Sequence, residues 1–321
     1  MNALPKTDAI GRRYRLDRHP TGKRVRLTQP DLIRFNAMQT HGALPLPYIH
    51  EFTKHLSSNY RATSYHLRDL FHENNNRHGA PYLDRPPQQT RAEHYGYSHL
   101  VYDLNKISLK VLKAHDLYKE HAPTSSGWWE HDLMRSCITA SLELGLTPEF
   151  AYTPHHVWVE KAGTLGCNVD FIHPNGQRHT KELRFDAVAS IEYKKRGGHV
   201  FMMIQADRAT EPARSLNFNR KGYVRDVLMT RHFVSSGQYR RHFKITGGAP
   251  SILLNVTTTF NNMRNWMEVV REHSPNGKNK HMLFTTLPEF GDAFKIPAEP
   301  FDLWTRPWHR VGYQDVYLNQ L

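Results

Sequence analysis

An apolar run near the middle of the chain ends in residues that can do chemistry. The segment FMMIQADRATEP begins with five residues suited to a buried strand, Phe201 to Gln205. It continues with the cluster Asp207, Arg208, Thr210 and Glu211, which Pro212 closes. A second strand-like segment upstream, LRFDAV, carries Asp186. If the two strands pair, Asp186 and Asp207 come close together. Two carboxylates in that position can hold a divalent metal ion and activate water.

This order of acids is similar to that of PD-(D/E)XK nucleases, but it departs from their pattern at two positions. Gln205 stands where a metal carboxylate is expected, and Asp207 stands where a lysine is expected. Lys221 or Arg208 can supply the missing positive charge. Three interpretations stay open: a structural cluster of ion pairs and caps, a noncatalytic nucleic-acid surface, and a nuclease. The sequence predicts a divalent metal only for the nuclease, and otherwise no cofactor.

The elements that must position these residues form a predicted α/β domain over residues 128–321. Strand-like runs alternate with turn signals such as Pro174-Asn175-Gly176 and Gly197-Gly198. Helical patterns follow at about 219–236 and 261–273. Strands joined through helices imply partly parallel pairing. The domain boundary is expected between residues 123 and 127, with the helix in EHDLMRSCITASLEL opening the second domain.

The N-terminal part predicts a winged helix-turn-helix domain over residues 28–122. Three short amphipathic helices begin near Thr28, Pro47 and Asn59, and two strands follow around a Pro-rich tip. Leu67, Leu70 and Phe71 are expected in the core, and Tyr65 suits either face of the third helix. The residues expected to face a DNA groove are Arg61, Thr63, Ser64, His66 and Arg68, and those expected on the wing are Arg85, Gln88, Gln89 and Arg91.

Residues 1–27 predict a mobile basic arm. Gly11, Pro20 and Gly22 discourage a regular helix. The arm's predicted phosphate contacts are Arg12, Arg13, Arg15 and Arg24, and a solvated tail without such contacts stays open as the alternative.

Charge and cysteine content narrow the classes of function. The formal net charge is +13, and residues 1–124 carry 19 basic and 11 acidic side chains, so a polyanionic partner is expected. Two cysteines cannot build a disulfide framework, which fits a reducing cytoplasm. The apolar runs are too short for a membrane span, and the N-terminus lacks the apolar centre of a signal peptide. The 22 histidines are scattered without a convincing metal-ligand set.

Several segments taken in order resemble the replication-relaxation family of bacterial plasmids and other mobile elements over about residues 26–310. They include RLTQPDLIRFNAM, APYLDRPPQ, YSHLVYDLNKISLKVL, EHDLMRSCITASLEL, LRFDAV and FMMIQADRATEP. The resemblance implies an N-terminal winged helix, a C-terminal domain like a decayed restriction-endonuclease fold, and a link to plasmid replication or DNA relaxation. The family's strand reads Glu-x-Asp-Arg-x-Thr-Glu, so Gln205 replaces its first glutamate.

The expected fold is therefore α+β, a winged helix followed by an α/β domain resembling a degenerate PD-(D/E)XK nuclease. The expected function is sequence-specific binding of double-stranded DNA by a protein of a plasmid, phage or other mobile element, in replication, transfer or transcriptional control. A nuclease using Asp186 and Asp207 and a protein-interaction adaptor stay open as alternatives. Replication or transcription machinery and a second copy of the chain stay open as further partners.

Overall fold

The computed structural model describes residues 16–90, 99–123, 128–172, 176–195, 197–209, 214, 222–246 and 248–321. These residues form a mixed α+β protein with helices and a large mixed sheet. The chain divides into two compact units: residues 1–144 with 292–301, and residues 145–291 with 302–321. No helix among the described residues is long and apolar enough to cross a membrane.

The first unit combines helices with a small antiparallel sheet. The sheet has the strand order β1-β3-β2, with Leu44 opposite Tyr102 and Leu83 opposite Leu104. The elements are α1 (Gln29–His41), β1 (Leu44–Pro45), α2 (Leu46–Glu51), α3 (Tyr60–His72), β2 (Leu83–Asp84), β3 (Val101–Leu104), α4 (Lys106–Ala114) and α5 (Trp129–Leu144), with a 3-10 turn at Pro87–Thr90.

Local capping explains where these helices begin. Asn59 accepts a hydrogen bond from the Ala62 N–H at the start of α3, and Asn105 accepts from the Ile107 N–H at the start of α4. At the start of α1, the Asp31 carboxylate accepts from the Thr28 N–H.

The three helices and two strands expected here from the sequence are confirmed.

Helix α5 belongs to the first unit, whereas the sequence predicts it at the start of the second domain. His41 of α1 lies 3.0 Å from both Thr139 Oγ1 and Glu143 Oε2 of α5. The segment 292–301 returns to this helix, where the Phe301 N–H donates to Ser141 Oγ at 2.9 Å. The apolar side of α5 is buried in this unit. Because of this packing, the first unit extends to residue 144, beyond the boundary predicted between residues 123 and 127.

The second unit is built on a seven-stranded sheet with the strand order β12-β11-β10-β9-β8-β7-β4. Strands β8, β9 and β10 are parallel, and the other neighbouring pairs are antiparallel. The strands are β4 (Phe150–Thr153), β5 (Cys167–Ile172), β6 (Arg178–Leu183), β7 (Ala187–Tyr193), β8 (Gly198–Asp207), β9 (Ser251–Thr257), β10 (Asn279–Thr286), β11 (Trp308–Val311) and β12 (Tyr313–Val316). The helices are α6 (His155–Ala162), α7 (Tyr223–Ser235), α8 (Gln238–His242) and α9 (Phe260–Glu272), and β5 pairs with β6 as a separate hairpin.

One hydrophobic cluster of this unit lies on one face of the sheet. Met203 of β8 and Leu253 of β9 are neighbours in the parallel register and belong to one buried cluster with residues of α7 and α9. Tyr223 of α7 stacks on Trp266 of α9 with a centroid distance of 4.3 Å. Because side chains alternate along a strand, Gln205 and Asp207 share the face of Met203. The predicted partly parallel pairing is confirmed.

Candidate functional site

One face of α3 is exposed and carries two arginines around a tyrosine. Arg61, Tyr65 and Arg68 are spaced four and three residues apart, so they lie on the same side of the helix. The Arg61 Nε donates to Tyr65 Oη at 2.9 Å, and the Arg68 guanidinium lies 4.9 Å from the centre of the Tyr65 ring. Tyr65 is 44% exposed. The ring therefore holds two cationic groups in an ordered row on the surface, with the charges still accessible.

Two of the predicted groove contacts, Thr63 and His66, lie on the opposite face of α3, which packs against the rest of the unit. Thr63 is 2% exposed, and its Oγ1 lies 3.1 Å from His50 Nδ1 and 3.4 Å from Arg34 Nη2. His66 is half-buried and lies 2.9 Å from both carboxylate oxygens of Asp31. Thr63 and His66 therefore hold α3 against α1 and do not belong to the exposed row. Ser64 is half-buried between the two faces.

A buried ion pair lies at the centre of these contacts. Asp31 is fully buried and accepts from Thr28 N at 2.8 Å, Thr28 Oγ1 at 2.7 Å and Arg34 Nη1 at 3.1 Å. Arg34 also donates from Nε to Thr53 Oγ1 at 3.1 Å. Burial opposes ionisation of Asp31, but the hydrogen bonds from His66 and Thr28 outweigh it, so the pKa of Asp31 lies below its usual value. These contacts fix the angle at which α3 presents its exposed face.

The described part of the basic arm is attached to the end of α3, which corrects the expectation that this part is mobile. The Arg18 guanidinium lies 4.3 Å from the centre of the Phe71 ring and donates to the Leu83 carbonyl at 2.9 Å. The Glu73 carboxylate accepts from the Thr21 N–H, the Thr21 hydroxyl and the Gly22 N–H. Arg24 and Arg26 are exposed on this docked segment. The predicted phosphate contacts Arg12, Arg13 and Arg15 lie outside the described residues.

In the connection between β2 and β3, two of the predicted wing contacts, Arg85 and Gln89, are buried. Arg85, expected on the wing surface, is 7% exposed, and its guanidinium lies 3.9 Å from the centre of the Phe71 ring. It also donates to Tyr102 Oη at 3.1 Å, and burial lowers its pKa. Gln88 is half-buried, and Gln89 is buried with its amide bonded to the backbone of Val101. Arg91 lies outside the described residues.

In the second unit, the structure brings Asp186 to the end of β8. The Asp186 N–H donates to the Ile204 carbonyl at 3.0 Å, and the Asp186 carboxylate accepts from the Ala206 N–H at 2.7 Å. Asp186 is half-buried, and it precedes β7, which runs antiparallel to β8. Pairing of the two strands, on which the two-carboxylate hypothesis depended, is confirmed. Asp186 lies beside the residue that precedes Asp207.

Asp207 is held in a polar row on β8 and β9. It is 3% exposed and stands opposite Thr257 in the parallel register. The Asn262 Nδ2 lies 3.3 Å from the Asp207 carboxylate and donates to Thr257 Oγ1 at 2.7 Å. Asn262 belongs to the first turn of α9, where Thr259 accepts a hydrogen bond from the Asn262 N–H. A carboxylate near the start of a helix is favoured by the helix dipole.

The other predicted residues of this site have separate roles or lie outside the described chain. Gln205 is 7% exposed and stands opposite the buried Asn255 of β9. The Arg208 Nε donates to the Phe290 carbonyl at 3.0 Å, which joins the end of β8 to the segment after β10. Glu211 and Lys221 are not among the described residues.

Asp186 and Asp207 are the two described carboxylates that a divalent metal ion at this site could use. No group of three or more His, Cys, Asp and Glu that could hold a metal ion occurs in the part of the chain that the structure describes. The Asp186 carboxylate accepts from a backbone N–H, and the Asp207 carboxylate lies against an amide NH2 group. Each of these contacts occupies one of the two oxygens of its carboxylate.

Comparison with known proteins gives no family for this chain. No family model matches it, and no curated protein matches it. Among solved structures it is similar to one described as the SdaI restriction endonuclease, at 10% sequence identity over 74% of this chain and 81% of that chain. The TM-score is 0.18, a level at which a likeness carries no argument. What the chain does is therefore inferred from its own residues.

Sequence reasoning missed the buried partners of both sites. Arg34, His50 and Asn262 contact the predicted residues, yet none was singled out. Two sequence signals pointed toward buried polar contacts. Asp31 stands three residues after Thr28, a spacing typical of a helix start, and Asn255 lies inside the apolar run SILLNVT. A polar residue inside an apolar run indicates a buried hydrogen-bonding partner, but not which one.

Proposed function

We propose that the first unit is a winged helix that binds double-stranded DNA with α3 in the major groove. The observation that carries this proposal is the exposed row Arg61, Tyr65 and Arg68 on a helix whose opposite face is fixed by buried contacts. The order of helices and the three-stranded antiparallel sheet agree with this class of domain. A rigid helix with accessible guanidinium groups suits the readout of base edges.

The arginines of the exposed row on α3 and the arginines of the arm have different expected roles. A guanidinium can donate two parallel hydrogen bonds to O6 and N7 of guanine, so Arg61 and Arg68 are proposed to read bases. Arg24 and Arg26 are exposed on an extended segment and are proposed to contact phosphates, which carry no sequence information. The basic excess within residues 1–124 supports this division.

We assign the DNA binding to a mobile-element protein acting in replication, transfer or transcriptional control. This biological assignment rests on the resemblance of sequence segments to the replication-relaxation family. No family model matches the chain. Mapping of bound sites in the host genome distinguishes the three roles. Occupancy at a replication origin, a transfer origin or promoters identifies replication, transfer or transcription respectively.

Titration of the purified full chain with duplex DNA at two salt concentrations tests the proposal. Selection from a random duplex library supplies the preferred site. Specific binding is expected to weaken steeply with salt, because each neutralised phosphate releases counterions. Arg61→Ala and Arg68→Ala should each weaken binding to the selected site, while Arg264→Ala on the exposed surface of the second unit serves as a matched control. A folded protein that binds no duplex at low salt would favour the adaptor interpretation instead.

A nuclease remains a second candidate because the Asp186 carboxylate bonds the backbone beside Asp207. Lys221, which with Arg208 is a candidate for the missing positive charge, and Glu211 lie outside the described residues. Incubation of the purified protein with plasmid DNA and Mg²⁺ or Mn²⁺ tests it. Cleavage that is lost in both Asp186→Asn and Asp207→Asn, with the thermal transition unchanged, would establish the nuclease.

A further inference from the structure

The Tyr65 hydroxyl occupies one particular edge of the Arg61 guanidinium. The Arg61 Nε donates to Tyr65 Oη at 2.9 Å, across one turn of α3. A guanidinium has two edges that can donate a pair of parallel hydrogen bonds: Nε with one Nη, and the two Nη atoms together. Because Tyr65 takes the Nε–H, the edge left for a base is the one formed by the two Nη atoms. The hydroxyl therefore selects the edge of Arg61 that meets DNA.

No described acid competes with DNA for the exposed row. Neither Arg61 nor Arg68 pairs with an acidic side chain within the described part of the chain. All three side chains of the row are exposed. Asp69, the acid beside Arg68 in sequence, pairs instead with Lys23 of the arm. Both guanidiniums of the row therefore keep their charge and their outer donors available.

The Tyr65 ring limits the distance between the two guanidiniums. The guanidinium carbon of Arg61 lies 5.6 Å from the centre of the ring, and that of Arg68 lies 4.9 Å from it. The two carbons are therefore no more than about 10.5 Å apart, which is also the rise of seven helical residues. Successive bases of a DNA strand are about 3.4 Å apart along the helix axis. Two bases contacted from this row thus lie within about four neighbouring base pairs.

We propose that Tyr65 is a positioning residue that makes Arg61 specific for guanine, and that the row reads two guanines within about four neighbouring base pairs. The two Nη atoms of Arg61 donate to O6 and N7 of one guanine in the major groove, and Arg68 meets the other guanine, on either strand. Because the hydroxyl holds the Arg61 guanidinium before DNA binds, less side-chain freedom is lost on binding. This inference rests on the proposed DNA binding by α3 and adds the identity and the spacing of the bases.

Tyr65→Phe tests the positioning role, because it removes the hydroxyl and keeps the ring beside Arg68. Fluorescence anisotropy of the full chain measures dissociation constants on the selected duplex and on duplexes with each base pair changed in turn. The variant should bind the selected site about fivefold more weakly, the effect of one hydrogen bond. It should lose discrimination at the guanine that Arg61→Ala identifies and keep it at the guanine that Arg68→Ala identifies. Tyr118→Phe, which changes a 38% exposed tyrosine of the same unit outside α3, should bind like the native chain.

A double variant separates positioning from a general effect on the fold. Tyr65→Phe in the Arg61→Ala background should have no further effect, because the hydroxyl acts through Arg61. The melting temperature of Tyr65→Phe and its binding to an unrelated duplex should match those of the native chain, since the lost hydroxyl is on the surface.

Three results overturn this inference while leaving DNA binding by α3 in place. They are full discrimination by Tyr65→Phe at the guanine assigned to Arg61, an equal loss by Tyr65→Phe at every position, and assigned bases that are not guanines within one window of about four base pairs. A native chain that prefers no duplex sequence refutes the proposed function itself, and this inference with it.

Discussion

Removal of the Asp31 carboxylate should destabilise the first unit strongly. Asp31→Ala leaves the Arg34 guanidinium, which is only 3% exposed, without its ion-pair partner at 3.1 Å. It also removes the acceptor for Thr28 at the start of α1 and for His66 of α3. The loss of one partner from a buried pair costs about 3–5 kcal/mol, because the remaining charge stays buried. That is a large share of the roughly 5–15 kcal/mol by which proteins are stable.

Differential scanning calorimetry of the full chain measures this loss, and hydrogen exchange locates it. A cost of about 3–5 kcal/mol lowers the melting temperature of a unit of this size by roughly 10 °C. Amide exchange should rise in α1 and α3 and stay unchanged in β8, β9 and β10. Glu120→Ala, which removes an exposed acid from the same unit, serves as the control and should shift the transition by less than about 2 °C.

A second variant tests whether the buried pair itself is responsible. Arg34→Met in the Asp31→Ala background removes the unpaired charge and should recover part of the lost stability. A double variant as unstable as the sum of the two single variants would refute the reasoning. So would an Asp31→Ala protein that melts within about 2 °C of the native chain, because so small a loss means that the guanidinium finds another partner or water.

The hydrogen bonds that Asp31 accepts from His66 and Thr28 predict the direction of the pH dependence. The pKa of Asp31 in the folded protein lies below its ordinary value of 3.8. A depressed pKa of an acid contributes stability that is fully present above the unfolded pKa and is lost as the pH falls through the folded pKa. The difference in stability between the native chain and Asp31→Ala should therefore not shrink between neutral pH and about pH 5, and it should shrink below about pH 4. A difference that shrinks already between pH 7 and pH 5 would contradict this assignment.

Three further predictions separate the surface from the core. Arg61→Ala should weaken binding to the selected DNA site by about 1–3 kcal/mol and relax its sequence preference. Arg24→Ala should instead weaken binding to all duplexes alike and flatten the salt dependence. Competition titrations distinguish the two patterns. Arg85→Ala should lower the melting temperature of the first unit, because its guanidinium fills the space between Phe71 and Tyr102; an unchanged transition in calorimetry would contradict that role. Asp207→Ala should cost about 1–3 kcal/mol in the second unit by removing a buried acceptor, and an unchanged urea midpoint would exclude a structural role.

The sequence by itself determined the local elements and the overall composition of the protein. Periodic apolar residues predicted α3, α7 and α9, and capping residues such as Asn59 marked where helices begin. Strand-like runs between turn signals predicted the strands β7 and β8, whereas their pairing was only the condition of the two-carboxylate hypothesis. These features depend on neighbouring residues and on the 3.6 and 2 residue periods, so they can be read without knowledge of distant contacts.

Only the tertiary structure decided which polar residues face solvent. Thr63, His66 and Arg85 have the residue types of DNA contacts, yet each is turned toward partners more than ten residues away in sequence. A buried polar side chain is stabilised by hydrogen bonds that only the folded chain supplies, and no local pattern encodes their geometry. The same reason explains why α5 packs with the first unit: its apolar side suits either neighbour, and the fit to α1 and to segment 292–301 decides between them.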